Sequence, residues 1–349
     1  MDEKQFRNKI YWITFLLSIL VVWVHSFNAE LFLGNTASAA WTDAAERILG
    51  ETAGQIAVPG FFIISSYLFY RGFGWRSLVP KWKSRVRSVL IPYLLWNSLY
   101  YAGYVLGTRL PGVAHMVGKQ PVPLDVAHLL PAVISYAYNP VFWYLFQLIL
   151  LIVLAPAIYL VFRRNAAGAA ALAVLAFGLW KNWNLPFLNL DALFYTGIAA
   201  YVSLHRASWG GFVESAPKGR QTALAFLLLL LFRMVLAFCG RPGTLLSQTA
   251  LVIVLCRLWG VCLVCLAVKA LRLPQAGEWM KHDFFLYAIH FAWVRLFNKA
   301  GAVFLPAHPV SALGLFVLMP LFMLAVSTGI RKCLMAICPG AYKLLSGGR

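Results

Sequence analysis

The chain has 349 residues, of which 61% are hydrophobic and only 12% charged, with a formal net charge of +19. A water-soluble domain cannot hide so much apolar surface, because charged residues make up about a quarter of an ordinary globular chain; the lipid bilayer is therefore the main solvent. The excess positive charge is spread between apolar segments and needs no nucleic-acid partner to explain it.

Hydrocarbon offers the backbone no hydrogen-bond partners, so long apolar segments must be helices, and the period-two alternation of a membrane barrel is absent. Ile10 to Ala29 runs without a formal charge, long enough to cross a bilayer core of roughly 30 Å. Helices are predicted at roughly 10–28, 51–71, 88–107, 141–162, 166–183, 190–205, 221–239, 245–268, 282–304 and 309–330, with boundaries good to a few residues. The fold class is all-α, a polytopic membrane protein of about ten transmembrane helices.

Basic residues alternate between the two sides of that map. Lys4, Arg7 and Lys9 precede the first helix, and Arg71, Arg76, Lys81, Lys83, Arg85 and Arg87 fill the second connection. Then come Arg163 and Arg164; Arg206, Lys218 and Arg220; Lys269, Arg272 and Lys281; and finally Arg331, Lys332, Lys343 and Arg349. The intervening connections hold scattered cations such as Arg47, Arg109, Lys119, Lys181, Arg241 and Lys299. This is the positive-inside pattern, and with an even helix count it predicts that both termini are cytoplasmic.

The N-terminus has the outline of a signal peptide, with Ala37-Ser38-Ala39 downstream of an apolar run. The run is of full membrane length and carries His25, so it reads as a retained first helix. The proline-rich stretch from about Thr108 to Pro140 is the longest outside the membrane and is expected on the outer side. Leu124 to Tyr136 within it reads as a short amphipathic surface helix. No appended soluble domain is expected, and residues 1–349 read as a single membrane-embedded domain. No internal or inverted repeat of the kind found in many secondary transporters is visible. The six cysteines lie in or beside helices; Cys262 and Cys265 form one C-x-x-C, better explained as small buried apolar residues than as metal or redox chemistry. No metal is expected.

Ionisable groups within the membrane are costly, so each is a functional candidate. They are His25, Asp191, Arg233, Arg257, His290 and Arg295. An imidazole suits general-base work near neutral pH, and a cation or donor is needed to stabilise a tetrahedral oxyanion in low dielectric. His25 as base with Arg295 as oxyanion partner would meet both needs; equally, His25 could bond a helix neighbour or lie at the outer interface. Tyr287 and His290 form an i, i+3 pair on one helix face, poised to orient the imidazole or complete a proton path, or simply to pack between helices. Arg233 and Arg257 fit substrate binding or structural pairing with Asp191, Asp283 or helix-end carbonyls. The run Lys81-Trp82-Lys83-Ser84-Arg85-Val86-Arg87 is the densest in cations; it suits the phosphates of an anionic donor such as coenzyme A, or orientation and contact with acidic lipids. His25 and Glu30 read H-x4-E, with Glu30 past the predicted helix end and the match taken as coincidence.

Several segments together resemble acyltransferase family 3 of bacterial membrane proteins. Ile19-Leu20-Val21-Val22-Trp23-Val24-His25-Ser26 is similar to its first-helix motif ending in histidine, and Pro59-Gly60-Phe61-Phe62-Ile63-Ile64-Ser65-Ser66-Tyr67-Leu68 to its second helix. Lys83 to Arg87 with Leu90 to Trp96 resembles its basic loop and third-helix start. Phe142-Trp143-Tyr144-Leu145 running to Pro156 resembles its fourth helix, and Phe285 to His290 its late Y-x-x-H. The resemblance covers nearly all of the chain. It implies a ten-helix protein of the bacterial inner membrane that transfers an acyl group, usually acetyl, from cytoplasmic acyl-CoA to a hydroxyl of a glycan or lipid-linked sugar. By position it makes His25 the catalytic base and Arg85 and Arg87, beside Lys83, the donor's phosphate ligands. The chain departs from the family pattern at Thr14 and Phe146, where arginines are common, and at Ser66, where glycine is usual. A transporter or exporter on the same scaffold, without acyl transfer, is the alternative in another class; a membrane scaffold or polymer-assembly partner is a third.

Overall fold

The computed structural model describes residues 2–117, 120–208, 219–239, 241, 243–244, 247 and 249–348. Three of the predicted loop cations, Lys119, Lys218 and Arg349, lie outside them. Among the described residues there is no β-strand. The first third forms α1 (Glu3–Val24), α2 (Ala29–Leu33), α3 (Ala37–Arg47), α4 (Ala57–Tyr70), α5 (Trp75–Arg85) and α6 (Ile91–Gly107). The middle forms α7 (Val113–Val117), α8 (Val126–Ile134), α9 (Trp143–Val153), α10 (Ala155–Phe162), α11 (Asn165–Trp180) and α12 (Leu190–Leu204). The remainder forms α13 (Gly219–Cys239), α14 (Ala250–Ala270), α15 (Asp283–Phe304), α16 (Pro309–Ile337) and α17 (Pro339–Leu345).

A helix stands in each of the ten predicted regions. Among the described residues, five stretches are long and apolar enough to cross a membrane: Glu3–Leu33, Ala37–Tyr70, Gly219–Cys239, Ala250–Ala270 and Pro309–Ile337. The pair Pro140–Val153 and Ala155–Phe162 makes a sixth if counted as one span. It was expected as a single helix, but bends by 63°. Pro156, in the first turn of α10, lacks the N–H that would continue the ladder, the usual cause of a sharp kink. Helices α11 and α12 are apolar but shorter.

Three further elements differ from expectation. The basic run is not a loop: α5 extends to Arg85 with Pro80 inside it, and Val86–Leu90 continues as π-helix into α6. The stretch before the predicted second helix is also helical, with Thr36 capping α3 by accepting from the Ala39 N–H at 3.1 Å, a residue type favoured at a helix N-terminus. The third is the end of α1, which stops at Val24. The amphipathic helix of the proline-rich stretch is present as α8, capped by Asp125, with Leu124, Val126, Leu130 and Ile134 exposed.

Contacts divide the chain into two compact units: Met1–Val21, Thr52–Lys81 and Leu150–Lys281, and Val22–Glu51, Trp82–Ile149 and His282–Arg349. In the first, α4 packs on α12, where Ser66 Oγ donates to Thr196 Oγ1 at 3.0 Å and Ser203 Oγ to the Tyr67 carbonyl at 2.9 Å. Arg257 on α14 donates to Gln55 Oε1 at 2.9 Å and lies 4.0 Å from Asp191. Arg233 on α13 lies over the Trp259 ring. Both arginines thus have structural partners, one an ion pair and one an aromatic face. In the second unit α6 is the hub. Trp96 Nε1 donates to the Leu345 carbonyl at 2.9 Å, Tyr93 OH to that of Ile134 at 2.8 Å, and Tyr100 OH to that of Ala288 on α15 at 3.1 Å. These tryptophan and tyrosine donors tie backbone carbonyls of three other elements to α6.

Candidate active site

All seven candidate site residues fall in the second unit. Its centre is a pair of imidazoles. His25, the first residue after α1, has its ring centroid 5.2 Å from that of His290 on α15, with 47° between the planes. His290 is completely buried, whereas His25 is only partly so. Of the two rings, only His25 keeps some exposed surface.

The state of His290 follows from its partners. Its Nδ1 lies 2.6 Å from the Tyr287 carbonyl oxygen. A carbonyl only accepts, so Nδ1 carries the hydrogen, and in the neutral ring Nε2 is left with a bare lone pair. That Nε2 is buried and has no hydrogen-bond partner among the described residues. An unmatched acceptor in such a place is unusual in a folded protein.

Tyr287 contributes through its backbone. Its phenol donates to the Val141 carbonyl at 2.6 Å, so the hydroxyl is committed away from the imidazole. Its ring stacks on Phe142 at 5.6 Å and 7° and meets Tyr144 edge-on at 6.0 Å. These rings fix the turn of α15 that presents His290. Arg295 is exposed, within 3.4 Å of the Tyr104 hydroxyl, and its guanidinium lies 5.5 Å from the centre of the Phe291 ring. Phe291 in turn meets the His25 ring edge-on at 5.6 Å. The arginine thus reaches the histidine's neighbourhood through one intervening ring and is not in direct contact with either imidazole.

Lys83 and Arg87 are exposed and Arg85 half-buried at the junction of α5 and α6. From Arg87 to Tyr100, which touches α15 beside His290, is roughly 20 Å along the helix at about 1.5 Å per residue. The basic cluster and the imidazoles are therefore separated along α6 by an arm's length. Glu30 is exposed on α2, apart from this chemistry. Among the described residues no group of three or more His, Cys, Asp or Glu side chains is placed to hold a metal.

The departures at arginine positions have local structural partners. Thr14 Oγ1 donates to the Tyr11 carbonyl at 3.3 Å within its own helix, and Phe146 packs on Tyr136 at 5.6 Å. Ser66, at a glycine position, supplies the hydroxyl that bonds Thr196.

Sequence reasoning passed over a second polar cluster beside the histidines. Glu46 is fully buried and Asn28 and Asn298 nearly so; no motif marks them. The signal within reach was an acid on the alanine-rich, Thr36-capped stretch 37–47, which a helix would turn inward.

A family model described as an acyltransferase domain matches residues 9–331, nearly the whole chain and all the residues above. The chain belongs to acyltransferase family 3. It is also 30% identical over 195 residues to the succinoglycan biosynthesis protein ExoH of Rhizobium meliloti (strain 1021), a match covering 53% of this chain and 50% of that one. The chain thus spans about half the length of this curated relative. No solved structure matches.

Proposed function

We propose that this family member transfers an acyl group, acetyl in the simplest case, from cytoplasmic acyl-CoA to a hydroxyl of an envelope saccharide or lipid-linked sugar, within the bacterial inner membrane. The observation that carries the reading is the half-buried His25 imidazole set against a second, fully buried one. The saccharide acceptor draws further support from the likeness to a succinoglycan biosynthesis protein. Lys83, Arg85 and Arg87 take the donor's phosphates, since clustered cations bind phosphate strongly. The pantetheine arm follows α6 toward α15.

In the reaction His25 removes the proton of the acceptor hydroxyl as its oxygen attacks the thioester carbonyl. The tetrahedral oxyanion is stabilised by a donor, for which Arg295, a turn and a half beyond His290 on α15 and separated from His25 by Phe291, is the candidate. Collapse breaks the C–S bond, and the departing thiolate takes the proton back from His25. The ester and free coenzyme A then leave. His290, with Nδ1 held by the Tyr287 carbonyl, keeps its neighbour's ring in place.

The test is His25→Ala in membranes supplied with radiolabelled acetyl-CoA. Acyl incorporation into saccharide is expected to vanish while the protein remains inserted and abundant. Normal labelling by that variant would falsify the base assignment, and solute uptake by vesicles without any acetyl-CoA consumption would favour the transporter.

A further inference from the structure

The α-helix that leads to His25 ends just before it, although nothing in Trp23-Val24-His25-Ser26-Phe27-Asn28 is a glycine or proline. The break is held open from outside. His25 and Ser26 N–H groups bond the carbonyls three residues back, Val22 and Trp23, at 3.1 Å each, the tight geometry of a helix end. Beyond them the carbonyls of Ser26 and Phe27 accept from Asn298 Nδ2 on α15 at 3.2 and 3.3 Å. The N–H groups of Asn28 and Ala29 donate to Glu46 Oε2 on α3 at 3.0 and 3.4 Å. Asn28 Nδ2 also donates to Asn298 Oδ1 at 3.3 Å, linking the two clamps. Four main-chain groups that a continuous helix would satisfy internally are thus satisfied by two side chains, the condition under which irregular backbone survives at membrane depth.

The next residue is locked as well. Phe27 packs against Phe316 at 5.9 Å and lies under Arg47, one residue after Glu46. A Cβ on Gly50 would come within 2.4 Å of its ring, so α3 and its continuation close over it. Asn298 stands two turns beyond His290 on the same helix, so one rigid element sets both the buried imidazole and the backbone leading away from the other.

We propose that Glu46 and Asn298 are positioning residues for His25, holding the helix break that turns its ring toward His290. This rests on the reading of His25 as the base. Geometry of this kind matters to rate, since a misplacement of about 1 Å costs on the order of 100-fold.

The experiment uses the full-length protein in lipid vesicles, isotopically labelled at histidine, with the His25 ring signal identified by its loss in His25→Ala. Glu46→Ala and Asn298→Ala are expected to shift that signal. They should also lower kcat for transfer from acetyl-CoA roughly tenfold to a hundredfold per inserted molecule, with KM for acetyl-CoA nearly unchanged. Glu46→Gln keeps an amide oxygen for the two N–H groups and should restore most of the rate. An unmoved ring signal in both alanine variants overturns the proposal, as does Glu46→Gln as slow as Glu46→Ala, or a raised KM with kcat intact. Full activity of His25→Ala defeats the base reading alone, while the ring signal still decides whether Glu46 and Asn298 hold the histidine.

Discussion

Tyr287 and His290 lie one turn apart, yet the atom of Tyr287 that acts on the imidazole is its carbonyl oxygen, not its phenol. Tyr287→Phe therefore keeps the bond that fixes the His290 tautomer and loses only the phenol's bond to Val141. Stability should fall by about 0.6–2 kcal/mol, the range for a polar bond between membrane helices, while acyl transfer per inserted molecule stays near wild type. His290→Phe keeps the ring volume and removes both nitrogens, and should lower transfer at least tenfold, in keeping with the roughly 100-fold cost of misplacing a reacting group by about 1 Å. Thermal unfolding in detergent and labelling from acetyl-CoA separate the two outcomes. Equal loss of activity in both variants would return the phenol to the chemistry. The sequence made the pair visible through its spacing, but which atom of Tyr287 matters depends on a rotamer, which no spacing encodes.

At the scale of elements, periodicity and charge located the ten helical regions but missed where tertiary partners take over the backbone. The break after Val24 is invisible in sequence because its cause lies in Asn298 and Glu46, distant along the chain. Helix α3 was legible in principle from Thr36 and the alanine-rich run behind it, and was masked by the resemblance of Ala37-Ser38-Ala39 to a cleavage site. The basic run is legible in sequence as charge and not as structure, although it continues α5 into α6. Its helical form sharpens a prediction. Lys83 and Arg87 lie one turn apart and both are exposed, so they can meet the same phosphate-bearing ligand. Replacing both with Ala removes hydrogen bonds to charged groups of about 1.5–3 kcal/mol each and should raise KM for acetyl-CoA roughly tenfold or more. kcat at saturation should hold, and the wild-type KM should itself rise with salt. A falling kcat at constant KM would move the cluster out of donor binding.

For the whole molecule, the bilayer explains most of what composition announced. Among the described residues, five or six stretches meet the length and apolarity of a span, fewer than the roughly ten read from the sequence. Helix α15 shows why the two measures differ, since His290, Arg295, Asn298 and Lys299 dilute its hydropathy, and the first three are the residues that make it a candidate site. Function and detectability as a span oppose each other in such a helix. Orientation is then decided by the distribution of cations, because moving Lys- and Arg-rich connections across the membrane is disfavoured. With an even number of crossings both ends share the cytoplasmic side; with an odd number they do not. A fluorescent protein that folds only in the cytoplasm, fused in turn before Asp2 and after Arg349, reads this parity directly. Fluorescence from both fusions is the expected result, and it places Lys83, Arg85 and Arg87 on the side where acyl-CoA is made. Fluorescence from the N-terminal fusion alone would mean that one of the ten helices, most simply the bent pair or one of the shorter α11 and α12, does not cross. The basic cluster would keep its side in that case, since only α1 and the stretch Ala37–Tyr70 precede it, and the donor site would stand while the ten-span topology fell.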